Sequence, residues 1–260
     1  MKLRGRRALQ PRMIPTHTDP THTDPTLSPL DLPMSFLGRP AAAGTEQPWL
    51  LVLMHGVGSH EKDLFALARW VPAQFHVVSL RAPYAMGPGA NTWFEFTVEP
   101  DGSRTIHEAQ ETASRSLLAR TVETAAVQLG VPPARVVVGG FSQGGIMAIS
   151  LLLTRPDLLR GAMAWHSRLL PQVLPHAVAP EALAGRALWV SHGLQDNVIP
   201  LASAHVIRDH ALGLPVALTY REYAGMHEIR PDELRDAMAW LDGLGHPAPP
   251  VRREGAAAGA

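Results

Sequence analysis

The chain has 260 residues, of which 46% are hydrophobic and 18% charged, and its formal net charge is +0 with 13 histidines counted as neutral. That length can bury one large core, the balance describes a globular protein, and the neutral charge gives no pull toward nucleic acid or an anionic membrane. The absence of cysteine excludes disulfides, thiolate chemistry and Cys-containing zinc sites, and fits a reducing cytoplasm.

The chain opens on a basic stretch, Met1 to Arg7, which runs into Pro-rich polar sequence and not into an apolar signal core. Thr16-His-Thr-Asp-Pro is repeated at once as Thr21-His-Thr-Asp-Pro, inside a segment too polar to offset its own ordering entropy. His17, Asp19, His22 and Asp24 carry metal-ligand chemistry, but no apolar frame surrounds them, so the reading is a disordered tail over residues 1–33. Met13 and Met34 are alternative candidate starts. The Pro- and Ala-rich end, residues 247–260, reads as a second tail, leaving one domain over 34–246. No run of about 18 apolar residues occurs, so no membrane span is expected.

Between the tails, strand-like and helix-like segments alternate. Leu50 to Met54 and Phe75 to Leu80 are short apolar runs suited to buried parallel strands. Ile106, Ala109, Ala113 and Leu117 keep helical spacing, which predicts a helix over His107 to Leu129 before a strand at Arg135 to Gly140. The apolar segment Ile146 to Leu153 suits a buried strand or a buried helix. Gly161 to Trp165, Ala187 to Ser191 and Ala217 to Tyr223 supply later strands. Pro200 to Leu212 and Pro231 to Leu241 read as helices with Pro in the first turn. Such alternation implies βαβ units, hence an α/β fold with a mostly parallel sheet, helices on both faces, and ligands at the carboxyl ends of the strands.

The chemistry centres on Gly140-Phe141-Ser142-Gln143-Gly144, set between a strand and a buried segment. A G-x-S-x-G turn there is a nucleophile elbow, which lifts the Ser hydroxyl clear of the sheet. A Ser hydroxyl is a weak nucleophile until a His takes its proton, and that His needs a carboxylate to fix its tautomer. Asp196 follows the strand at 187–191 and reads either as that carboxylate or as a capping Asp before Pro200. His227 follows the strand at 217–223 and reads either as the base or as a surface histidine. The order Ser142, Asp196, His227 is that of the α/β-hydrolases. The turn His55-Gly56-Val57-Gly58 either ends a strand or supplies an oxyanion donor; in the second case the backbone N–H groups of Val57 and Gln143 form the oxyanion hole.

These segments, with Arg81-Ala-Pro, Trp93-Phe-Glu95, Arg168-Leu-Leu-Pro, His192-Gly-x-x-Asp196-x-x-Ile-Pro and Gly225-x-His227, resemble the phospholipase/carboxylesterase family of α/β-hydrolases. That group contains the acyl-protein thioesterases and many small bacterial carboxylesterases. The likeness covers roughly residues 36 to 244. It implies the α/β-hydrolase fold, Ser142 as nucleophile, Asp196 as orienting acid, His227 as base, Val57 and Gln143 N–H at the oxyanion, and Trp93 lining the substrate pocket. The sequence departs from the family at His166-Ser167, where Ser-Gly is usual, and at Glu95, where Asp is usual. Trp165 and His166 are therefore placed at the substrate pocket, with packing or pocket shape favoured for His166 over catalysis.

The resulting expectation is a cytoplasmic serine carboxylesterase, monomeric or homodimeric, that cleaves small to medium acyl esters through an acyl-enzyme at Ser142 without metal or organic cofactor. The alternatives are an acyl thioesterase or lysophospholipase of the same fold, or a non-catalytic scaffold that only binds. A lipase acting at interfaces would need a long amphipathic lid, and the two insertion candidates, Ala85 to Arg104 and Gln172 to Gly185, are short and poor in bulky apolar residues.

Overall fold

A computed structural model describes residues 30–100 and 103–245. In chain order its elements begin with β1 (Phe36–Arg39), β2 (Trp49–Met54), the short helix α1 (Lys62–Phe65) and β3 (Phe75–Leu80). Four short strands follow: β4 (Tyr84–Gly87), β5 (Ala90–Thr92), β6 (Phe96–Val98) and β7 (Arg104–Ile106). Then come α2 (Glu108–Gln128), β8 (Val136–Phe141), α3 (Gln143–Thr154), β9 (Gly161–Trp165), β10 (Ala187–Gly193), α4 (Leu201–Leu212), β11 (Ala217–Tyr223) and α5 (Pro231–Leu244).

Seven strands form one sheet in the order β1-β3-β2-β8-β9-β10-β11. β1 runs antiparallel to β3 and every other pair is parallel. Each residue of β2, β8, β9 and β10 is buried, as expected of parallel strands covered on both faces. The edge strand β11 is largely exposed, with Arg221 and Glu222 along it, charges that discourage pairing with another chain.

The pleat divides successive residues between two cores. Leu50, Val52, Met54, Val136 and Val138 pack with Leu118 and Val122 of α2, Ile149 and Leu152 of α3, and Ile207 of α4. Leu51, Leu53, Val137, Met163, Trp165 and Trp189 pack on the other face with Leu64 of α1 and with Leu234, Ala237 and Leu241 of α5. This is the α/β-hydrolase arrangement, and among the described residues no helix is long and apolar enough to cross a membrane.

The apolar stretch after the elbow, open between strand and helix in the sequence, is a helix; all of Gln143 to Leu153 is buried, so no exposed face marked the helical period. Two placements differ from the sequence reading. The described residues of the insertion at 85–104 are folded: β4 pairs with β5, β6 with β7, and Asn91 bridges to Ser59. Residues 30–33, assigned to the tail, join the body. Leu30 and Leu32 pack on the core, and Asp31 exchanges two hydrogen bonds with Gln128 at 3.0 and 2.8 Å. The Thr-His-Thr-Asp-Pro repeat, with His17, Asp19, His22 and Asp24, and the segment 247–260 lie outside the described residues.

Candidate active site

The elbow is built by steric exclusion. A Cβ on Gly140 would lie 2.1 Å from the Gly144 carbonyl carbon, one on Gly144 2.0 Å from the Met54 oxygen, and one on Gly145 2.8 Å from Ser167 Cβ. Only glycine lets α3 start this close to β2 and β8. The turn puts Ser142 at φ 55° and ψ −116°, a conformation that L-residues avoid and that surrounding bonds must hold. Its N–H donates to Trp165 O at 2.8 Å, and its carbonyl accepts from Ile146 N at 3.1 Å and from Ser167 Oγ at 2.9 Å.

Asp196 and His227 come from adjoining loops after β10 and β11. Gly193 lets those loops touch, since a Cβ there would lie 2.4 Å from Met226 O, and Gln195 N donates to Gly225 O at 2.9 Å. Asp196 Oδ1 accepts from Val198 N and Ile199 N, both at 2.9 Å, and Oδ2 accepts from His227 Nδ1 at 2.7 Å. With Nδ1–H spent on Asp196, Nε2 is the nitrogen of His227 left to take a proton. The His227 ring packs against Phe141, the residue preceding Ser142, with centroids 4.7 Å apart. Burial alone would raise the Asp196 pKa, but its bonds to His166 and His227 overcome this and hold the carboxyl well below the usual range.

The turn after β2 runs alongside the elbow, because a Cβ on Gly56 would sit 3.4 Å from Ser142 Cβ. His55 fixes that turn. Its Nε2 accepts from Ala82 N at 3.1 Å, which leaves Nδ1–H to donate to Gly56 O at 2.7 Å. Burial lowers its pKa, in keeping with this neutral tautomer. Gln143 opens α3, so its N–H has no acceptor one turn back and lies at the positive end of the helix dipole. Its side chain is engaged elsewhere: Oε1 accepts from Trp93 N and Thr92 Oγ1, both at 2.9 Å, and Nε2 donates to Phe94 O at 2.7 Å. The folded insertion is thus clamped onto the residue after Ser142.

The three residues expected at the substrate pocket are placed elsewhere. Trp93 is 0% exposed, and its Nε1 donates to His55 O at 2.9 Å, so it buttresses the His55 turn. Trp165, also 0% exposed, points into the core beneath α5, on the far side of the sheet from α3. His166 is 1% exposed and lies under the Asp196–His227 pair; its Nδ1 donates to Asp196 Oδ2 at 3.0 Å, and its Nε2 to Glu233 Oε2 at 3.3 Å. Side chains with no accessible surface do not line an open pocket. Glu233 of α5 escaped the sequence reading altogether, because nothing in its spacing links it to Asp196.

His166, His192 and Asp196 also bring potential metal-ligand atoms within 4.8 Å of one another. Those atoms are occupied by protons: Asp196 Oδ2 already accepts from two imidazoles, and His192 Nε2 donates to Ile199 O at 2.8 Å. A cation there would have to displace the proton that joins Asp196 to His166.

Compared with known proteins, residues 41–244 match the sequence model of the phospholipase/carboxylesterase family. The chain belongs to that family. Another match is the acyl-protein thioesterase 1 of Eremothecium gossypii, 26% identical over 78% of this chain and 91% of that protein. Among solved structures, esterase PE8 is 28% identical with a TM-score of 0.65, over 82% of this chain and 99% of that one. The carboxylesterase of Bacillus cereus is 23% identical with a TM-score of 0.70, over 81% and 94%. As a member of the phospholipase/carboxylesterase family, the protein is a serine hydrolase of the carboxylic ester class.

Proposed function

We propose that the protein hydrolyses carboxylic esters of small to medium acyl groups through an acyl-enzyme on Ser142, with Asp196 and His227 completing the triad. The observation that carries this reading is the 2.7 Å bond from His227 Nδ1 to a fully coordinated Asp196, in a loop packed against the strained Ser142 elbow. Ser142 Oγ attacks the ester carbonyl while His227 Nε2 takes its proton. The tetrahedral oxyanion is met by the N–H groups of Val57 and Gln143, and the alcohol leaves with the proton returned by His227. Water, deprotonated by the same nitrogen, then releases the acid.

Two features support small to medium acyl groups. The insertion at 84–106 is tied down through Gln143 and Ser59 as short ribbons, and the segment 171–183 forms 3₁₀ turns anchored in the core by Val173 and Leu183. Among the described residues, neither offers a free amphipathic helix to serve as a lipase lid. The thioester alternative draws on the name of the Eremothecium relative and needs no further machinery, since the same oxyanion donors serve both leaving groups.

The test is hydrolysis of p-nitrophenyl esters from acetate to palmitate by the wild type and by Ser142→Ala, with circular dichroism confirming that both are folded. The expected result is turnover that peaks at a short or medium chain and is abolished in Ser142→Ala. Retained turnover in the variant overturns the mechanism.

A further inference from the structure

The carboxylate that orients His227 is shared with a second histidine that the hydrolytic mechanism does not use. His166 sits at φ 50° just after β9, a backbone region uncommon for a residue with a Cβ, so its ring is held in place at a conformational cost. Its two nitrogens face two carboxylates, Asp196 at 3.0 Å and Glu233 at 3.3 Å, and all three side chains are at most 1% exposed. Ionised carboxylates only accept, so both ring nitrogens must donate, and the ring that satisfies both is the imidazolium. Burial opposes that charge, but the two carboxylates override it and push the His166 pKa up to about 9.

The surroundings are consistent with a built pair. His192, from the end of β10, stacks on His166 at 5.2 Å and stays neutral, burial lowering its pKa while Nε2–H donates to Ile199 O. His227 stands edge-on to His166 with centroids 5.6 Å apart. Phe141 covers the ring from β8 at 5.6 Å. Glu233 is fixed from α5, its Oε2 also accepting the Arg230 N–H at 3.2 Å. Arg104 of β7 brings a further positive charge to the Asp196 loop, its Nη2 donating to Val198 O at 2.7 Å. Asp196 thus receives four donors: two backbone N–H groups on Oδ1 and two imidazoles on Oδ2. That fills the roughly four acceptor sites of a carboxylate.

We propose that His166 and Glu233 are positioning residues of the hydrolytic site: a buried imidazolium–carboxylate pair that locks the Asp196 carboxylate to α5 and so holds it in the position that orients His227. This rests on the triad reading above. His166 takes the second acceptor site of Oδ2 and Glu233 holds the far nitrogen of the ring, so the carboxylate cannot swing away from His227 Nδ1 without breaking a chain of bonds that ends in α5.

The test compares kcat and KM for a p-nitrophenyl ester in the wild type and in His166→Asn, a neutral residue that tolerates positive φ, with circular dichroism confirming the fold. Loosening Asp196 is expected to lower kcat at least about tenfold while KM stays within about twofold. An unchanged kcat in folded His166→Asn overturns the proposal. Should His166→Asn fail to fold, ring ¹⁵N spectra of the wild type decide. Both His166 nitrogens are expected to be protonated at about pH 8, where an ordinary histidine is neutral, and a single protonated nitrogen overturns the proposal. Turnover that depends on Ser142 but is unchanged in His166→Asn defeats only this inference; turnover independent of Ser142 defeats the triad reading first.

Discussion

Asp196→Asn replaces one oxygen of a carboxylate whose two oxygens do different jobs. Oδ1 accepts two backbone N–H groups, Val198 and Ile199 at 2.9 Å each, and these donors cannot turn away. The carboxamide must therefore keep its oxygen there and put its NH₂ group where Oδ2 was, facing the N–H groups of His227 at 2.7 Å and His166 at 3.0 Å. A donor facing a donor is repulsive, and His227 relieves it by moving its proton to Nε2. The nitrogen that should accept the Ser142 proton then carries one. A triad with the wrong tautomer loses about 10³- to 10⁴-fold in kcat, or about 4 to 5 kcal/mol of transition-state stabilisation. The assay is steady-state hydrolysis of a p-nitrophenyl ester over a range of pH, with folding verified by circular dichroism. A loss of less than about tenfold in a folded variant would show that Asp196 does not set the His227 tautomer, and would refute the reasoning.

Two further outcomes follow from packing and titration. Gly144→Ala puts a methyl 2.0 Å from the Met54 oxygen and 2.5 Å from its carbon, backbone atoms of a central strand that cannot yield, so urea unfolding should report a loss of about 3 kcal/mol or more. A loss within the range of an ordinary surface change would contradict the elbow packing. Glu61 is bonded to Arg81 at 2.6 and 2.5 Å, and that hydrogen-bonded pairing outweighs burial and holds its pKa at about 2, below the ordinary 4.5. A carboxyl depressed on folding stabilises the protein above its unfolded pKa and ceases to as pH falls toward its folded pKa. Glu61→Gln should therefore cost about 1 to 2 kcal/mol at neutral pH, Arg81 being half-exposed and screened, with the gap to the wild type closing between about pH 4.5 and 2. A gap that is constant across that window would contradict the assignment.

Much of the fold is written locally. Phe75 to Leu80, Gly161 to Trp165 and Ala217 to Tyr223 are read from sequence at the bounds the structure gives them, the first two because short, mostly apolar runs between turn residues identify buried parallel strands, the third because Leu, Thr and Tyr favour a strand even at an exposed edge. The edge strand Phe36–Arg39 is not legible: it is four residues long, contains a glycine, and owes its strand character to pairing with Phe75–Leu80 some forty residues away. The strands within 84–106 escaped for a like reason, since Gly- and Pro-rich sequence shows no period and the ribbons are held by Gln143 and Ser59 from elsewhere in the chain. At the site, Ser142, Asp196 and His227 are proposed from sequence because the hydrolase chemistry fixes their order along the chain, and the fold brings Asp196 to His227 and the His227 ring to Phe141 beside Ser142. The pocket role expected of Trp93 rests on family likeness and those of Trp165 and His166 on a departure from it at a strand end; both tell that a large side chain is present but not which side of the sheet receives it. The link from His166 to Asp196 and Glu233 joins three separate loops and helices, and no spacing rule reaches across them.

The central claim is that Ser142 is a nucleophile activated by His227. Labelling with a fluorophosphonate, followed by intact-mass and peptide analysis, tests it most directly, because only an activated serine in an oxyanion site reacts. The expected result is a single adduct per chain mapped to Ser142, absent in Ser142→Ala and formed at least about a hundredfold more slowly in His227→Ala. A folded wild type that takes up no label, or takes it up at another residue, would contradict the account.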